Sequence, residues 1–341
     1  INDIASYYNL TSGEADSLTA LNFVFRNSDG SKQAKTAANE DINLPIFSEG
    51  LEAVFHTPAS REILQAGEDL RIVAEANAAD EMTLYVDGSA QYTTCGSRLE
   101  YTLQAASATG SHTIRVEASN GSETTSIEQS YFTRSDVTVQ QLPDGLEDGI
   151  NYISDSKVTL VLHAPYKEHI FVLGDFNNWE LKNAYFMKRT HSDPNHTDNR
   201  YWITIDNLNP GQEYAFQYLI DGNLQVADPY TEKVLDPHND KYISDATYPN
   251  LRAYPEKGDG IVSTLQAGQT EYQWDVTSFQ PEDQDQLVIY EMHLRDFTKD
   301  GEIGNLKQAM QKLDYLEALG VNAIELMPIN EFEGNDSWGY N

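Results

Sequence analysis

The feature that most constrains this chain is an alternation of apolar and polar residues that recurs in short runs from about residue 21 to residue 273. The runs are separated by turn-forming clusters, such as Asn27-Ser28-Asp29-Gly30. A period of two places successive side chains on opposite faces of a strand, and such clusters form tight turns. The sequence therefore predicts a mainly β chain over this stretch.

The spacing of the runs divides this β region into domains. Residues 1–48 hold too few strands for an independent core, so we interpret them as the C-terminal part of a β domain. Residues 49–134 carry regularly spaced strands without helical periodicity, typical of an immunoglobulin-like sandwich. The turn-rich residues 135–148 are predicted to form a linker. Residues 149–258 are predicted to form another β-sandwich, in which Asp221-Gly222 indicates a hairpin.

The pattern changes after a second predicted linker, residues 259–285. Residues 286–292 are largely apolar, leucines then recur with a helical period as far as Gly320, and residues 321–329 are again apolar. Strand, helix and strand in this order predict a βαβ crossover with parallel strands. One such unit cannot cover its own sheet. We therefore expect its apolar side chains to be exposed, namely those of Val288, Ile289, Ile324 and Leu326.

Composition excludes several classes of function. Asp+Glu number 54 and Lys+Arg 22, giving a formal charge of −32 that disfavours nucleic acid and anionic membrane surfaces. We interpret the acidity mainly as a source of solubility, with a saline habitat or Ca²⁺ sites as alternatives. No apolar run approaches the roughly 20 residues of a membrane span. The single cysteine, Cys95, allows neither an internal disulfide nor a cysteine-based zinc site.

The C-terminal residues resemble a known enzyme family. Residues 289–297 (Ile-Tyr-Glu-Met-His-Leu-Arg-Asp-Phe), residues 313–329 and the final Trp338-Gly339-Tyr340-Asn341 are similar to the opening of the α-amylase-family catalytic barrel, glycoside hydrolase family 13. The resemblance implies that residues 286–341 begin a truncated (β/α)8 TIM barrel. The expected fold is therefore tandem immunoglobulin-like β-sandwich domains followed by the first βαβ unit of that barrel.

The preceding domain carries a matching resemblance. Residues 174–179 (Gly-Asp-Phe-Asn-Asn-Trp), 216–222 and 227–230 resemble the N-terminal domain of branching enzymes, isoamylases and pullulanases, often classed as carbohydrate-binding module family 48. This resemblance makes Trp179 a candidate platform for α-glucan. Relatives that bind glucan carry a Lys and a second Trp where this chain has Gln217 and Leu224. Packing of Trp179 on the sandwich or against the barrel is therefore the favoured interpretation, and glucan binding is the alternative.

The resemblance also bears on catalysis. It implies a retaining reaction through a covalent glycosyl-enzyme, which needs two carboxylates. In the family these follow later barrel strands, so we predict no catalytic residue in this segment and no activity of the 341 residues alone. Tyr340 matches a loop tyrosine that stacks on the sugar, with Trp338 and Asn341 as weaker candidates; an ordinary surface tyrosine is the alternative. Glu291 and His293 are expected to lie on the first strand and to face the same way, as supporting groups.

Other clusters are open to two interpretations. Tyr85, Tyr92 and Tyr101 form either an aromatic face or alternating core positions. Residues 236–240 form either a cation site or, as we favour, a solvated loop. We predict no metal site and no cofactor, since any Ca²⁺ of the parent enzyme is not supported by this segment. Three further side chains are expected to be structural: His56, His112 and Trp202.

The predicted function follows from these resemblances. We expect part of a secreted, cell-surface or periplasmic multi-domain enzyme whose partner is an α-glucan polysaccharide or maltooligosaccharide, although the chain itself shows no signal-peptide pattern. One alternative is a non-catalytic glucan-binding or scaffold fragment, in which the β domains either hold glucan or act as spacers. Another is a branching-type transglycosylase. The sequence determines neither linkage specificity nor oligomeric state.

Overall fold

A computed structural model describes residues 6–11, 14, 18, 20–35, 42–47, 50–245, 248–298, 304–329, 338 and 340. The chain divides into two compact units, Ile1–Asp136 and Val137–Asn341, and strands predominate over helices among the described residues. The prediction of a mainly β chain is confirmed. No helix in these described ranges combines the length and apolar character needed to cross a membrane.

The first unit begins with a small antiparallel pair. Strands β1 (Ala20–Phe23) and β2 (Ile42–Pro45) pair with each other, and the backbone N–H of Gly30 donates to the Asn27 carbonyl at 3.0 Å in the predicted turn. Phe23 and Phe25 are exposed. Two strands bury little apolar surface, as the sequence indicated.

An immunoglobulin-like sandwich follows in the same unit. Its strands are β3 (Ala53–Thr57), β4 (Glu62–Gln65), β5 (Asp69–Ala76), β6 (Glu81–Val86), β7 (Ser89–Cys95), β8 (Arg98–Gln104), β9 (Gly110–Ser119) and β10 (Thr124–Arg134). They form a five-stranded sheet in the order β4-β10-β9-β6-β7 and a three-stranded sheet in the order β3-β5-β8. Alternate residues of both sheets fill one core. Its fully buried members include Ile72, Leu84, Leu99, Ile114 and Val116.

A two-residue turn and a buried histidine stabilise one end of this sandwich. Asp87 (φ 48°) and Gly88 (φ 78°) both occupy the left-handed region, as the two-residue hairpin between β6 and β7 requires. The buried His112 ring places Nδ1 2.7 Å from Asp87 Oδ2 and Nε2 2.8 Å from the Ala108 carbonyl, and it stacks on Tyr131. These contacts support the expectation that His112 is structural.

The second unit opens with another sandwich. Its strands are β11 (Gly149–Ser154), β12 (Lys157–His163), β13 (Ile170–Gly174), β14 (Lys188–Arg189), β15 (Arg200–Ile205), β16 (Tyr214–Ile220), β17 (Leu224–Val226), β18 (Val234–Leu235) and β19 (Val262–Leu265). One sheet has the order β11-β12-β15-β14 and the other the order β13-β16-β19-β18, with β17 on β16. The core lies between them and includes Leu160, Val172, Tyr201, Phe216 and Tyr218. Trp202 is buried as predicted.

The two predicted linkers need correction. The 259–285 prediction was wrong in its first part, because β19 is fully buried and pairs with both β16 and β18. Four residues are too few for their alternation to be recognised beside Gly258 and Gly260. In the 135–148 segment, Gln140 N donates to the Arg189 carbonyl at 2.9 Å, so these residues are bound to the sandwich at β14. Residues 269–283 have no regular secondary structure.

The last described elements form the predicted crossover. They are β20 (Ile289–Met292), α1 (Leu294–Phe297), α2 (Leu306–Met310), α3 (Leu313–Ala318) and β21 (Ala323–Leu326). The two strands pair in parallel, with Ile289 opposite Ala323 and Met292 opposite Leu326, which confirms the βαβ prediction. The prediction of a single long helix was wrong, because α2 and α3 are separated at Gln311 and Lys312. Helix α1 was not predicted.

Apolar exposure on this crossover matches the expectation. Val288, Ile289, Ile324 and Leu326 are between 37% and 57% exposed. A two-stranded sheet with short helices has no second layer to cover these side chains. Leu316 of α3 is nevertheless buried, so the helix packs at one point of its apolar stripe.

Candidate functional site

Trp179 ends a loop that the Asn177 side chain holds from within. Buried Asn177 accepts from Gly174 N at 2.9 Å and Trp179 N at 3.1 Å through Oδ1, and its Nδ2 donates to the Val172 carbonyl at 2.8 Å. A Cβ on Gly174 would lie 2.6 Å from the Ala215 carbonyl, so this position needs glycine. The motif at 174–179 is thus a turn that its own hydrogen bonds hold together and that orients the Trp179 side chain.

The indole of Trp179 is held by Asp175. Its Nε1 donates to Asp175 Oδ1 at 3.0 Å, and its ring packs, as Tyr254 does, on a small cluster formed by Ala215, Leu235 and Val262. Its φ of 59° is unusual for a bulky residue. The side chain is half-buried, which favours the packing interpretation over an exposed platform.

The neighbouring hairpin carries no glucan-binding pair. Gln217 is fully buried, and its Nε2 donates to the Ile261 carbonyl at 2.8 Å and to the Asp259 carbonyl at 2.5 Å. It therefore fixes the segment before β19 instead of facing a ligand. Leu224 is exposed after the Asp221-Gly222 turn. No lysine or tryptophan stands at either position, as the sequence shows.

The 227–230 motif has a structural role that the sequence did not reveal. Buried Asp228 accepts from Tyr218 Oη at 2.7 Å and from Tyr230 N at 2.7 Å, and its own N–H donates to Ser263 Oγ. Burial raises the pKa of the Asp228 carboxyl, and burial together with this carboxylate raises the pKa of Tyr218 far above its usual value. This motif joins β16 to β19 from inside the domain.

The parallel pair of β20 and β21 brings together the strongest candidate binding groups among the described residues. Glu291 of β20 and Glu325 of β21 are register partners, so their side chains lie on one face of the parallel pair. The phenol of Tyr340 donates to Glu291 Oε1 at 3.5 Å. Desolvation and the carboxylates of Glu291 and Glu325 raise the pKa of Tyr340. A phenol and two carboxylates on one face are groups that hydrogen-bond sugar hydroxyls.

Trp338, another predicted residue near Tyr340, is as exposed as Tyr340 itself. Trp338 and Tyr340 are 67% and 64% exposed, and Asn341 lies outside the described residues. The expectation for His293 was wrong, because β20 ends at Met292 and the imidazole Nδ1 pairs with Asp296 Oδ2 at 2.8 Å beside α1.

The three tyrosines that the sequence left open to two interpretations lie on different faces of the first sandwich. Tyr92 and Tyr101 stack at 5.2 Å and lie opposite Leu84 and Ile72 in the strand registers. Tyr101 packs on the core of the first sandwich, whereas Tyr92 is 38% exposed. Tyr85 follows Leu84 directly and therefore faces outward, where Arg115 lies 4.1 Å from its ring centroid. The three tyrosines thus do not form one aromatic face.

The 236–240 loop is bonded to itself. Asp236 is buried and accepts from His238 N at 2.7 Å and from Asn239 Nδ2 at 2.6 Å, while Asp240 Oδ2 accepts from Asp236 N at 3.0 Å. Burial opposes ionisation of Asp236, but these hydrogen bonds lower its pKa overall. Within the described residues, no group of three or more His, Cys, Asp or Glu side chains is arranged to hold a metal ion.

Comparison with known proteins adds sequence relatives. The chain is 30% identical over 189 residues to a malto-oligosyltrehalose trehalohydrolase of Saccharolobus solfataricus, covering 55% of this chain and 27% of that protein. It is 30% identical over 203 residues to a 1,4-alpha-glucan branching enzyme of Clostridium perfringens, covering 56% and 27%. The chain thus spans about a quarter of the length of these curated relatives.

One shorter sequence match and one solved structure are also similar to the chain. A 53-residue stretch is 49% identical to a malto-oligosyltrehalose trehalohydrolase of Mycobacterium tuberculosis, covering 16% of this chain and 9% of that protein. A crystal structure of a putative alpha amylase from Salmonella typhimurium is 24% identical with a TM-score of 0.40, covering 57% and 26% of the two chains. No family model matches the chain.

Proposed function

The chain is similar to an N-terminal portion of α-amylase-family (glycoside hydrolase family 13) enzymes, and from this premise we propose that it supplies the β domains and barrel opening of an enzyme acting on α-glucans. The proposed substrates are starch, glycogen, pullulan or maltooligosaccharides. The observation that carries the proposal is the parallel β20–β21 pair, with Glu291 and Glu325 in register beside Tyr340.

In this proposal Tyr340 binds the sugar next to the bond that is cleaved. The apolar C–H face of a pyranose packs on the phenol ring, and Glu291 orients the phenol by accepting its hydrogen bond. Trp338 and Asn341, close to Tyr340 in the sequence, are further candidates for binding the sugar. The carboxylic acid and the nucleophile of a retaining mechanism belong to later parts of the barrel. The 341 residues alone are therefore inactive.

The names of the relatives support α-glucans as the substrate class and are compatible with two reactions. One name describes a hydrolase, and the other a 1,4-alpha-glucan branching enzyme. Hydrolysis is the first candidate, and glucan transfer is the second. A purely glucan-binding or scaffold role is less favoured, because such a protein has no use for a barrel strand bearing Glu291. We propose that the parent enzyme is secreted or lies at the cell surface or in the periplasm.

The test compares the natural gene product with the 341-residue chain. Both are characterised by intact mass and assayed for reducing ends released from starch and pullulan. We expect activity in the longer protein alone. There, Tyr340→Ala should lower kcat/KM by about 10- to 100-fold, as for a lost substrate contact, while Tyr340→Phe keeps most of the activity because the ring remains. Hydrolysis by the 341-residue chain itself would contradict the proposal, as would a fully active Tyr340→Ala enzyme.

A further inference from the structure

A second candidate site lies in the sandwich of the second unit. It is a cavity of about 480 Å³, within the range of roughly 300–1,000 Å³ that small-molecule sites occupy. The loop at 141–148 forms one side, and Thr190, His191, Asp198 and Arg200 form the other. Neither Trp179 nor any residue of β20 and β21 lines it.

A fixed guanidinium forms part of this cavity. Arg200 donates to Asp148 Oδ1 from Nε at 2.7 Å and to Asp148 Oδ2 from Nη2 at 3.1 Å, and Nη1 donates to Asp198 Oδ1. The hydrogen bonds that Arg200 donates to the carboxylates of Asp148 and Asp198 raise its pKa, so the guanidinium stays charged. A guanidinium has five N–H groups, of which these contacts use three. Two N–H groups thus remain to donate from a rigid position.

The cavity also carries hydrogen-bonding groups that the protein does not use. Asp198 Oδ2 and both ring nitrogens of His191 have no hydrogen-bond partner among the described residues. The His191 ring lies nearly parallel to that of His196, with centroids 3.6 Å apart. Leu142 and Leu146 add apolar surface. Donors, acceptors, a flat ring and an apolar wall therefore meet in one cavity.

The charges of the cavity select among ligand classes. Glu147, Asp148 and Asp198 carry three negative charges against the single positive charge of Arg200. The surplus negative charge disfavours phosphates and carboxylates. A metal cation finds no ready-made site, because within the described residues no group of three or more His, Cys, Asp or Glu side chains is arranged to hold one. A neutral ligand rich in hydroxyl groups satisfies both constraints.

We propose that this cavity binds one pyranose unit of an oligosaccharide, as a site separate from the barrel. Two neighbouring hydroxyls bond to Asp198 and to the remaining N–H groups of Arg200, while the C–H face lies against Leu146. The choice of α-linked glucose as the sugar rests on the proposed function. The site itself follows from the geometry and charge of the cavity.

Titration of the 341-residue chain with maltotriose tests the site, with His191 imidazole NMR signals and calorimetry as readouts. We expect saturable shifts of the His191 signals. Leu146→Trp fills the cavity and should weaken maltotriose binding at least tenfold. Asp198→Asn leaves the shape of the cavity unchanged and should weaken binding three- to tenfold. Leu306→Trp adds the same ring at an exposed position of α2 and should leave affinity unchanged. Thermal unfolding confirms that each variant is folded.

Several results would overturn the site. They are the absence of any His191 shift with maltotriose, unchanged affinity in both cavity variants, and saturable shifts with CaCl₂ or inorganic phosphate in place of the sugar. If Leu146→Trp fails to fold, Asp198→Asn decides, because that carboxylate is exposed. None of these results alters the starch assay of the longer enzyme, so the proposed function is judged separately.

Discussion

The indole Nε1 of Trp179 donates to Asp175 Oδ1 at 3.0 Å, and the other carboxylate oxygen accepts from Arg252 Nη1 and from Ala215 N, each at 2.7 Å. One carboxylate thus joins the loop after β13 to β16 and to the segment before β19. This arrangement orients the tryptophan from the protein side and leaves its donor unavailable to a ligand.

Asp175→Ala should destabilise the second unit by about 2 kcal/mol, because it removes three hydrogen bonds and leaves the Arg252 guanidinium without its carboxylate. Urea unfolding followed by tryptophan emission measures this, since all four tryptophans lie in the second unit. The matched control is Glu180→Ala, which breaks an exposed pair with Lys182 and should leave the stability nearly unchanged. Equal effects of the two variants would contradict this role.

Trp179→Ala should destabilise the second unit by about 2–3 kcal/mol, somewhat below the cost of truncating a fully buried tryptophan. Trp179→Phe keeps most of the ring contact and should cost about half as much. Affinity electrophoresis on amylopectin, performed where all variants are folded, separates packing from binding. We expect unchanged retention for both variants. Retention lost in a folded Trp179→Ala protein would show that the indole is a glucan platform.

Asp228 should make the second unit more stable in acid than at neutral pH, when wild type is compared with Asp228→Asn. Burial raises its pKa in the folded state, so the folded state holds this proton more tightly than the unfolded state, whose ordinary value is 3.8. The penalty is absent below that value and appears as the pH rises through the raised pKa. Urea unfolding between pH 3 and pH 8 should therefore show wild type losing stability relative to Asp228→Asn with rising pH. A constant difference or the opposite slope would refute this.

Asp87 should show the opposite pH dependence in the first unit. Burial opposes its ionisation, but hydrogen bonds from His112 and Thr113 N lower its pKa overall. The stability it adds is present above pH 3.8 and is lost as the pH falls through the lowered value. Asp87→Asn preserves the left-handed turn, so the variant should be less stable at pH 7 and approach wild type in acid. Amide exchange in β9 reports on this unit. An unfolding difference that does not shrink as the pH falls below 3.8 would argue against this role of the Asp87 carboxylate.

The exposed apolar strands should make the 341-residue chain bind hydrophobic dyes. Changing Ile289 and Ile324 together to Thr keeps β-branched residues in the parallel pair and should reduce 8-anilinonaphthalene-sulfonate fluorescence at least twofold. Leu224→Thr, at an exposed hairpin position of the sandwich, is the control and should change it little. A stronger decrease with the control than with the strand variant would place the exposed surface elsewhere.

Local pattern was sufficient for much of the fold. Period-two alternation and Asx-Gly turns predicted both sandwiches, and the left-handed φ values of Asp87 and Asp221 agree with the hairpins. The apolar runs around the helical stripe predicted the parallel pair of β20 and β21. Such features depend on neighbours within a few residues, where backbone geometry and side-chain period act directly.

Long-range contact decided the rest. Strand β19 is only four residues long and owes its place to β16 and β18, and Gln217 is turned inward by carbonyls some 40 residues later in the chain. The cavity at Arg200 likewise needs Asp148, 52 residues earlier. The sequence by itself determined most of the strands, their turns and the family resemblance. Only the tertiary structure decided which polar side chains are consumed in holding the fold and which remain free to bind, because hydrogen-bond partners distant in sequence become neighbours only when the sheets close.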